Sequence, residues 1–195
     1  MRASNSSGRL LLAFVWAGAE ATVWPLMPDA VLVPLAAASP AEWWRLALAG
    51  VAGSSLGAAA SYAIGSGQPV GPLLQRLPLI RPAMVTAATA WLADEGPAGV
   101  RHQPLSRLPF KVFALLAGAR GVSLVPFLGC AAAARGARFL GVCAAAALLG
   151  RGLRGPVRRH PAVFLGLWLL GFAIGLRRTV RAWEQRPSPD DGPNQ

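Results

Sequence analysis

Six ionisable side chains sit in stretches that are otherwise apolar. Glu20 and Asp29 lie inside the run from Leu10 to Ala38, between Leu10-Leu11-Leu12-Ala13-Phe14-Val15-Trp16 and Val31-Leu32-Val33-Pro34-Leu35. Arg107 and Lys111 flank Pro109 in a second such run, and Arg135 and Arg138 stand inside a third. Charge at membrane depth is costly, so an ionisable residue there is by default a functional candidate. The residue types define the chemistry on offer. Arginine and lysine hold phosphate through charge-assisted hydrogen bonds. Carboxylates balance those cations, or take up protons, because burial without a partner favours the neutral acid.

The elements that position these groups are interrupted. Pro25 and Pro28 follow Glu20, and Pro109 stands between Arg107 and Lys111. Proline ends or kinks a helix and frees backbone groups. Within a membrane those groups are tolerated only where protein or a water-filled cavity receives them. Residues 10–38 therefore predict a re-entrant hairpin, two half-helices meeting around Glu20 to Asp29. Residues 101–122 predict a second, with cations in place of carboxylates. Paired broken segments in corresponding positions of two halves point to a site between inverted repeats. The halves are 10–64 and 101–149, each a hairpin followed by a spanning helix.

Composition agrees with a membrane setting. The 195 residues are 54% hydrophobic and 14% charged, against about 25% charged in ordinary soluble domains. Net charge is +11, from 18 arginines and one lysine. Most arginines lie at the ends of apolar runs, as membrane-flanking charge does; nucleic acid is not an expected partner. The Arg-over-Lys bias with abundant Ala and Gly suggests a GC-rich bacterial genome and a multi-pass protein of the bacterial cytoplasmic membrane. Counting arginines on the two sides gives seven against seven, so the positive-inside rule leaves orientation open.

The remaining chain reads as follows. Residues 1–9 form a polar N-terminus expected to be loose. Residues 41–64 form a spanning helix whose Gly50, Gly53 and Gly57 permit close packing. Residues 69–95 form an amphipathic interfacial segment, kinked or divided at Pro78 and Pro82. Residues 124–149 and 161–183 are further spans, and 184–195 a disordered tail. The membrane domain is 10–183.

Several motifs have a plainer reading. Gly53-Ser54-Ser55-Leu56-Gly57 matches the nucleophile elbow of hydrolases, but that motif needs a strand–turn–helix setting; here it sits in an apolar helix, and an enzyme is not expected. Cys130 and Cys143, thirteen apart on one helix, lie roughly 20 Å from each other, too far for a disulfide. No group has metal-ligand spacing, and no cofactor is expected. Asp29 alternatively caps the second half-helix, Arg107 and Lys111 alternatively snorkel to the interface, and Arg135 and Arg138 alternatively lie at a helix end. The N-terminus imitates a signal peptide through Ala17-Gly18-Ala19, but another apolar run follows it.

These residues resemble the DedA family, also called VTT-domain or SNARE-associated membrane proteins. The matching pieces are Glu20 with Pro25-x-x-Pro28-Asp29, then Gly53-x-x-x-Gly57 with Tyr62 and Gly65. They continue with Pro109-Phe110-Lys111-Val112-Phe113-Ala114, Gly118 and Phe127, then Arg135-Gly136-Ala137-Arg138-Phe139. The likeness covers residues 10–150 and is nearest the short bacterial branch. It implies two re-entrant hairpins and a role in moving phospholipid or polyprenyl-phosphate carriers across the bilayer. It also implies essential acidic residues at Glu20 and Asp29, and basic ones at Arg107 and Lys111. Two features depart from the family pattern. The first membrane helix before the first hairpin is missing, and Pro109-Phe110-Lys111 replaces a Pro-x-x-Arg pattern. On this reading Arg107, Lys111, Arg135 and Arg138 meet the lipid phosphate, and Glu20 and Asp29 balance charge or carry protons. The competing reading is a non-transporting membrane scaffold with a structural ion-pair network.

Overall fold

The computed structural model describes residues 2–106, 108–152 and 160–184. Among them every regular element is helical: α1 (Arg2–Glu20), α2 (Asp29–Ala38), α3 (Trp43–Gly67), α4 (Val70–Arg76), α5 (Pro82–Glu95), a 3-10 helix (Gly96–His102), α6 (Gln103–Ser106), α7 (Phe110–Ala119), α8 (Leu124–Gly152) and α9 (Pro161–Glu184). Helices α3, α8 and α9 are long and apolar enough to cross a membrane, and α2 and α7 are short apolar helices. The chain is a multi-pass membrane protein.

The prolines act as the sequence predicts. Helix α1 stops at Glu20, and the N–H groups of Thr22, Val23 and Trp24 converge on the Ala19 carbonyl at 3.1, 2.9 and 2.8 Å. Pro25 and Pro28 cannot donate, so the chain stays non-helical until Asp29 starts α2. Pro109 is the residue before α7. Pro78 and Pro82 divide the amphipathic segment into α4 and α5.

Other boundaries differ from the sequence reading. Residues 2–9 are the first turns of α1 rather than a loose end, because a distant partner holds them: Ser6 Oγ and Arg9 Nη2 both donate to the Glu42 carboxylate, at 2.9 and 3.0 Å. That contact ties the two feet of the α1–α2 hairpin together. The three spans run past their expected ends, to Gly67, Gly152 and Glu184, since no breaker stands at the earlier positions. The second broken segment is a 3-10 turn and a short helix followed by α7, not two arms of similar length. The tail 185–195 lies outside the described residues.

Helix α3 is the hub. It runs parallel to α1, with Gly53 against Phe14 and Gly57 against Gly18; a Cβ on Gly57 would lie 2.4 Å from the Gly18 carbonyl oxygen. Ser61 Oγ donates to the Ala21 carbonyl at 2.6 Å. The elbow-like motif is therefore a packing face inside a continuous helix. Past it, α3 meets α7, where a Cβ on Gly118 would lie 2.1 Å from the Tyr62 carbonyl oxygen. Helix α8 packs antiparallel to α3, Phe127 near Tyr62 and Phe139 near Gly50. Two buried apolar clusters result. One gathers Leu32, Ala36, Leu46 and Phe139 around the first hairpin; the other gathers Met84, Phe110, Phe113 and Phe127 around the second. Helix α9 joins the second cluster through Trp183 near its end, while Leu165, Leu167, Leu169 and Leu170 are exposed, the pattern of a lipid-facing helix.

Candidate functional site

The charged residues converge where the two broken segments face each other. Glu20, the last residue of α1, is buried and its Oε2 accepts from Arg135 Nη2 at 2.7 Å. Arg135 is itself only 3% exposed. Its guanidinium lies between two aromatic faces, 4.4 Å from the Phe110 ring centre and 4.9 Å from that of Phe139. Phe110 belongs to the second apolar cluster and Phe139 to the first, so Arg135 is the joint between the two cores. Desolvated cation–π contact adds to its ion pair.

One helical turn along α8, Arg138 pairs with Asp29 through Nη2 and donates from Nη1 to the Pro104 carbonyl at 3.2 Å. Asp29 thus sits in the first turn of α2 and turns its carboxylate to a cation; no side-chain cap forms there. Lys111, in the first turn of α7, is 1% exposed. Its Nζ donates to the Trp24 carbonyl at 2.8 Å. That carbonyl is one of the groups released where α1 breaks, so the cation of one interruption satisfies the backbone of the other. Pro25, Pro28 and Pro109 line the spaces between these groups.

The sequence expects Glu20 and Asp29 to balance Arg107, Lys111, Arg135 and Arg138. The structure pairs the two carboxylates with Arg135 and Arg138 of α8 and sets Glu20 and Lys111 on one cavity; Arg107 lies outside the described residues. Gln103, not singled out from the sequence, belongs to the site. It is 6% exposed, and its Nε2 donates to the Leu108 carbonyl at 3.0 Å. Its signal, a glutamine just ahead of the broken segment, is too weak to read from sequence. Gln103 Oε1, Asp29 Oδ1 and Arg135 Nε have no hydrogen-bond partner among the described residues. Buried groups of this kind are normally satisfied.

Two small cavities lie within the cluster, and Gln103 and Arg135 line the smaller one. One, of about 20 Å³, is lined by Glu20, Pro25, Pro109, Lys111 and Thr179. The other, of about 10 Å³, is lined by Glu20, Gln103, Arg135 and Arg138. Each has the size of roughly one water site. Beside them an open groove of about 180 Å³ runs between Met27, Arg138 and the Phe172–Thr179 stretch of α9. Arg138 lines both the groove and the smaller cavity. Among the described residues the cluster holds three cations against two carboxylates, leaving one positive charge unmatched. Among the described residues no group of His, Cys, Asp and Glu side chains can hold a metal ion.

Over 142 residues the chain is 30% identical to an uncharacterized protein of Haemophilus influenzae, a match that covers 72% of this chain and 73% of that protein. No protein-family model matches the chain, and no solved structure matches it.

Proposed function

The chain belongs to the same family as the Haemophilus influenzae protein, and from that premise we propose that it moves a phosphate-headed lipid across the bilayer. The lipid is a polyprenyl phosphate or a phospholipid, and the membrane the bacterial cytoplasmic one, as the resemblance to the DedA family implies. The two broken segments act as opposed re-entrant hairpins. In support, both feet of the first meet at Glu42, while its tip residue Met27 faces the interior turns of α9 rather than an end.

The observation that carries this reading is Arg138, which lines the open groove while, among the described residues, only Asp29 holds its charge. A phosphate in the groove reaches Arg138 first and displaces Asp29 from it. Fork-like guanidinium geometry suits that exchange. Protonation of Asp29 or Glu20 releases its arginine in the same way, which couples phosphate binding to protons. Lys111 holds the two tips together and adds positive potential.

The test is reconstitution into liposomes with labelled polyprenyl phosphate and, separately, labelled ordinary phospholipid. One of the two becomes accessible across the bilayer with wild type, and the inserted double variant Glu20→Ala/Asp29→Ala is inactive. Wild-type rates from that folded double variant overturn the reading.

A second reading, the non-transporting scaffold, is favoured by one observation. Both carboxylates are already paired, and the enclosed cavities hold roughly a water each. Swapping Glu20 with Arg135 discriminates. Normal assembly of the swapped protein, with no lipid movement in it or in wild type, favours the scaffold.

A further inference from the structure

A further cavity lies away from the charge cluster, at the end of the molecule where α3, α4, α5 and the end of α9 meet. It has a volume of about 240 Å³ and opens between α4 and α5. Its floor is apolar, with Leu74, Ile80 and Val85. Arg81 stands at its rim, in extended backbone just before α5. The space exceeds the roughly 150 Å³ of an apolar cavity that takes benzene, enough for a stretch of acyl chain.

We infer that this groove is a binding site for an acidic phospholipid, its acyl chain along Leu74, Ile80 and Val85 and its phosphate on Arg81. Three observations bear on the occupant. The groove lies between two short helices that follow α3 at one end of that span, where lipid headgroups meet acyl chains. Arg81 is the charged residue of its lining, Arg76 lies in the last turn of α4, and Arg181 lies in the last turn of α9, whose Glu184 pairs with Arg81. Basic clusters at that level recognise acidic headgroups. Finally, Arg81 has capacity to spare. One Nη2 contact goes to Glu184, and its buried Nε has no partner among the described residues. Phosphate, with several acceptor oxygens, can take Nε and compete with Glu184 for the rest of the fork.

The inference does not depend on the transport reading, because none of these residues touches the Glu20–Arg135 cluster. It is tested by native mass spectrometry of the detergent-purified protein with equal phosphatidylglycerol and phosphatidylcholine. Retention of phosphatidylglycerol over phosphatidylcholine is expected. Arg81→Gln should lower it about fivefold, the worth of one interfacial arginine, Arg81→Lys should restore part of it, and Glu184→Gln, which frees Arg81, should raise it. Gly71→Trp leaves the charge unchanged and fills the groove. A Cβ at Gly71 meets nothing within 4 Å, so the helix tolerates the change, and retention should fall as well. Equal retention of the two lipids, unaltered selectivity in both Arg81→Gln and Gly71→Trp, or a groove occupied by a second copy with no lipid retained would overturn the site.

Discussion

Lys111 of the second broken segment donates to the main-chain carbonyl of Trp24 in the first, at 2.8 Å. Few side chains suit that role. The carbonyl was released by the stop at Glu20 and the prolines after it, and the bond to Lys111 is part-buried. A long flexible cation starting from the first turn of α7 reaches it without a second helix having to bend. Lys111→Met should leave the carbonyl buried without a donor, at about 1–3 kcal/mol of stability. Thermal unfolding of the detergent-purified variant measures this. An unchanged melting temperature would mean that the carbonyl finds another donor, and would remove Lys111 as the link between hairpins.

The Glu20–Arg135 pair makes a different prediction. Both partners are nearly inaccessible, so removing either alone strands a buried charge, at about 3–5 kcal/mol. Removing both, in Glu20→Met/Arg135→Met, should cost less than either single change. Melting temperatures of the two singles and the double give the coupling. Additive losses would mean that each residue is held by other groups.

Helix contact through glycine is testable at Gly118. Alanine there forces α3 and α7 apart, because its Cβ would fall 2.1 Å from the Tyr62 carbonyl oxygen. The expected loss is about 1–3 kcal/mol, as for overpacked cores. Gly141→Ala on α8 is the control, since nothing lies within 4 Å of its Cβ; it should be neutral or stabilising by up to about 1 kcal/mol. Equal effects of the two changes would contradict the close approach.

Outside the spans, Glu95 accepts from His102 Nε2 at 2.8 Å and forms an ion pair with Arg101, Nε to Oε2 3.0 Å, while His102 stacks on Trp91. The hydrogen bond from His102, with the charge of Arg101, holds the Glu95 carboxyl below its ordinary value against a smaller opposing effect of desolvation. A depressed carboxyl stabilises the fold above its unfolded pKa, and that contribution disappears as pH falls through the lower folded value. Thermal stability of wild type should therefore fall more than that of Glu95→Gln as pH drops below the usual carboxylate range, about 4.3. Parallel curves would show that the contact contributes nothing.

How much of this was legible beforehand differs by feature. Pro25, Pro28 and Pro109 announce the breaks because proline acts locally, on its own φ and missing N–H. The three spans follow from run length. The partners of Glu20 and Asp29 do not. They depend on how α8 is rotated about its axis, and Arg135 and Arg138 are one turn apart on it. The sequence identified the charges and left open which cation each carboxylate meets; α8 holds both. Ser6 and Arg9 read as a loose end because their partner, Glu42, is over thirty residues away. Gln103 is invisible in sequence, since a single amide in a short polar stretch has many uses.

The central claim is that the cations at the hairpin junction take hold of a lipid phosphate, and Arg138 is the one that reaches the groove. The direct measurement is the initial rate of labelled polyprenyl phosphate or phospholipid movement in proteoliposomes, wild type against Arg138→Gln, with folding of both checked by thermal unfolding. The rate should fall by at least about tenfold, the worth of one charged hydrogen bond, with the fold intact. An Arg138→Gln protein that is folded and moves lipid at the wild-type rate would contradict it.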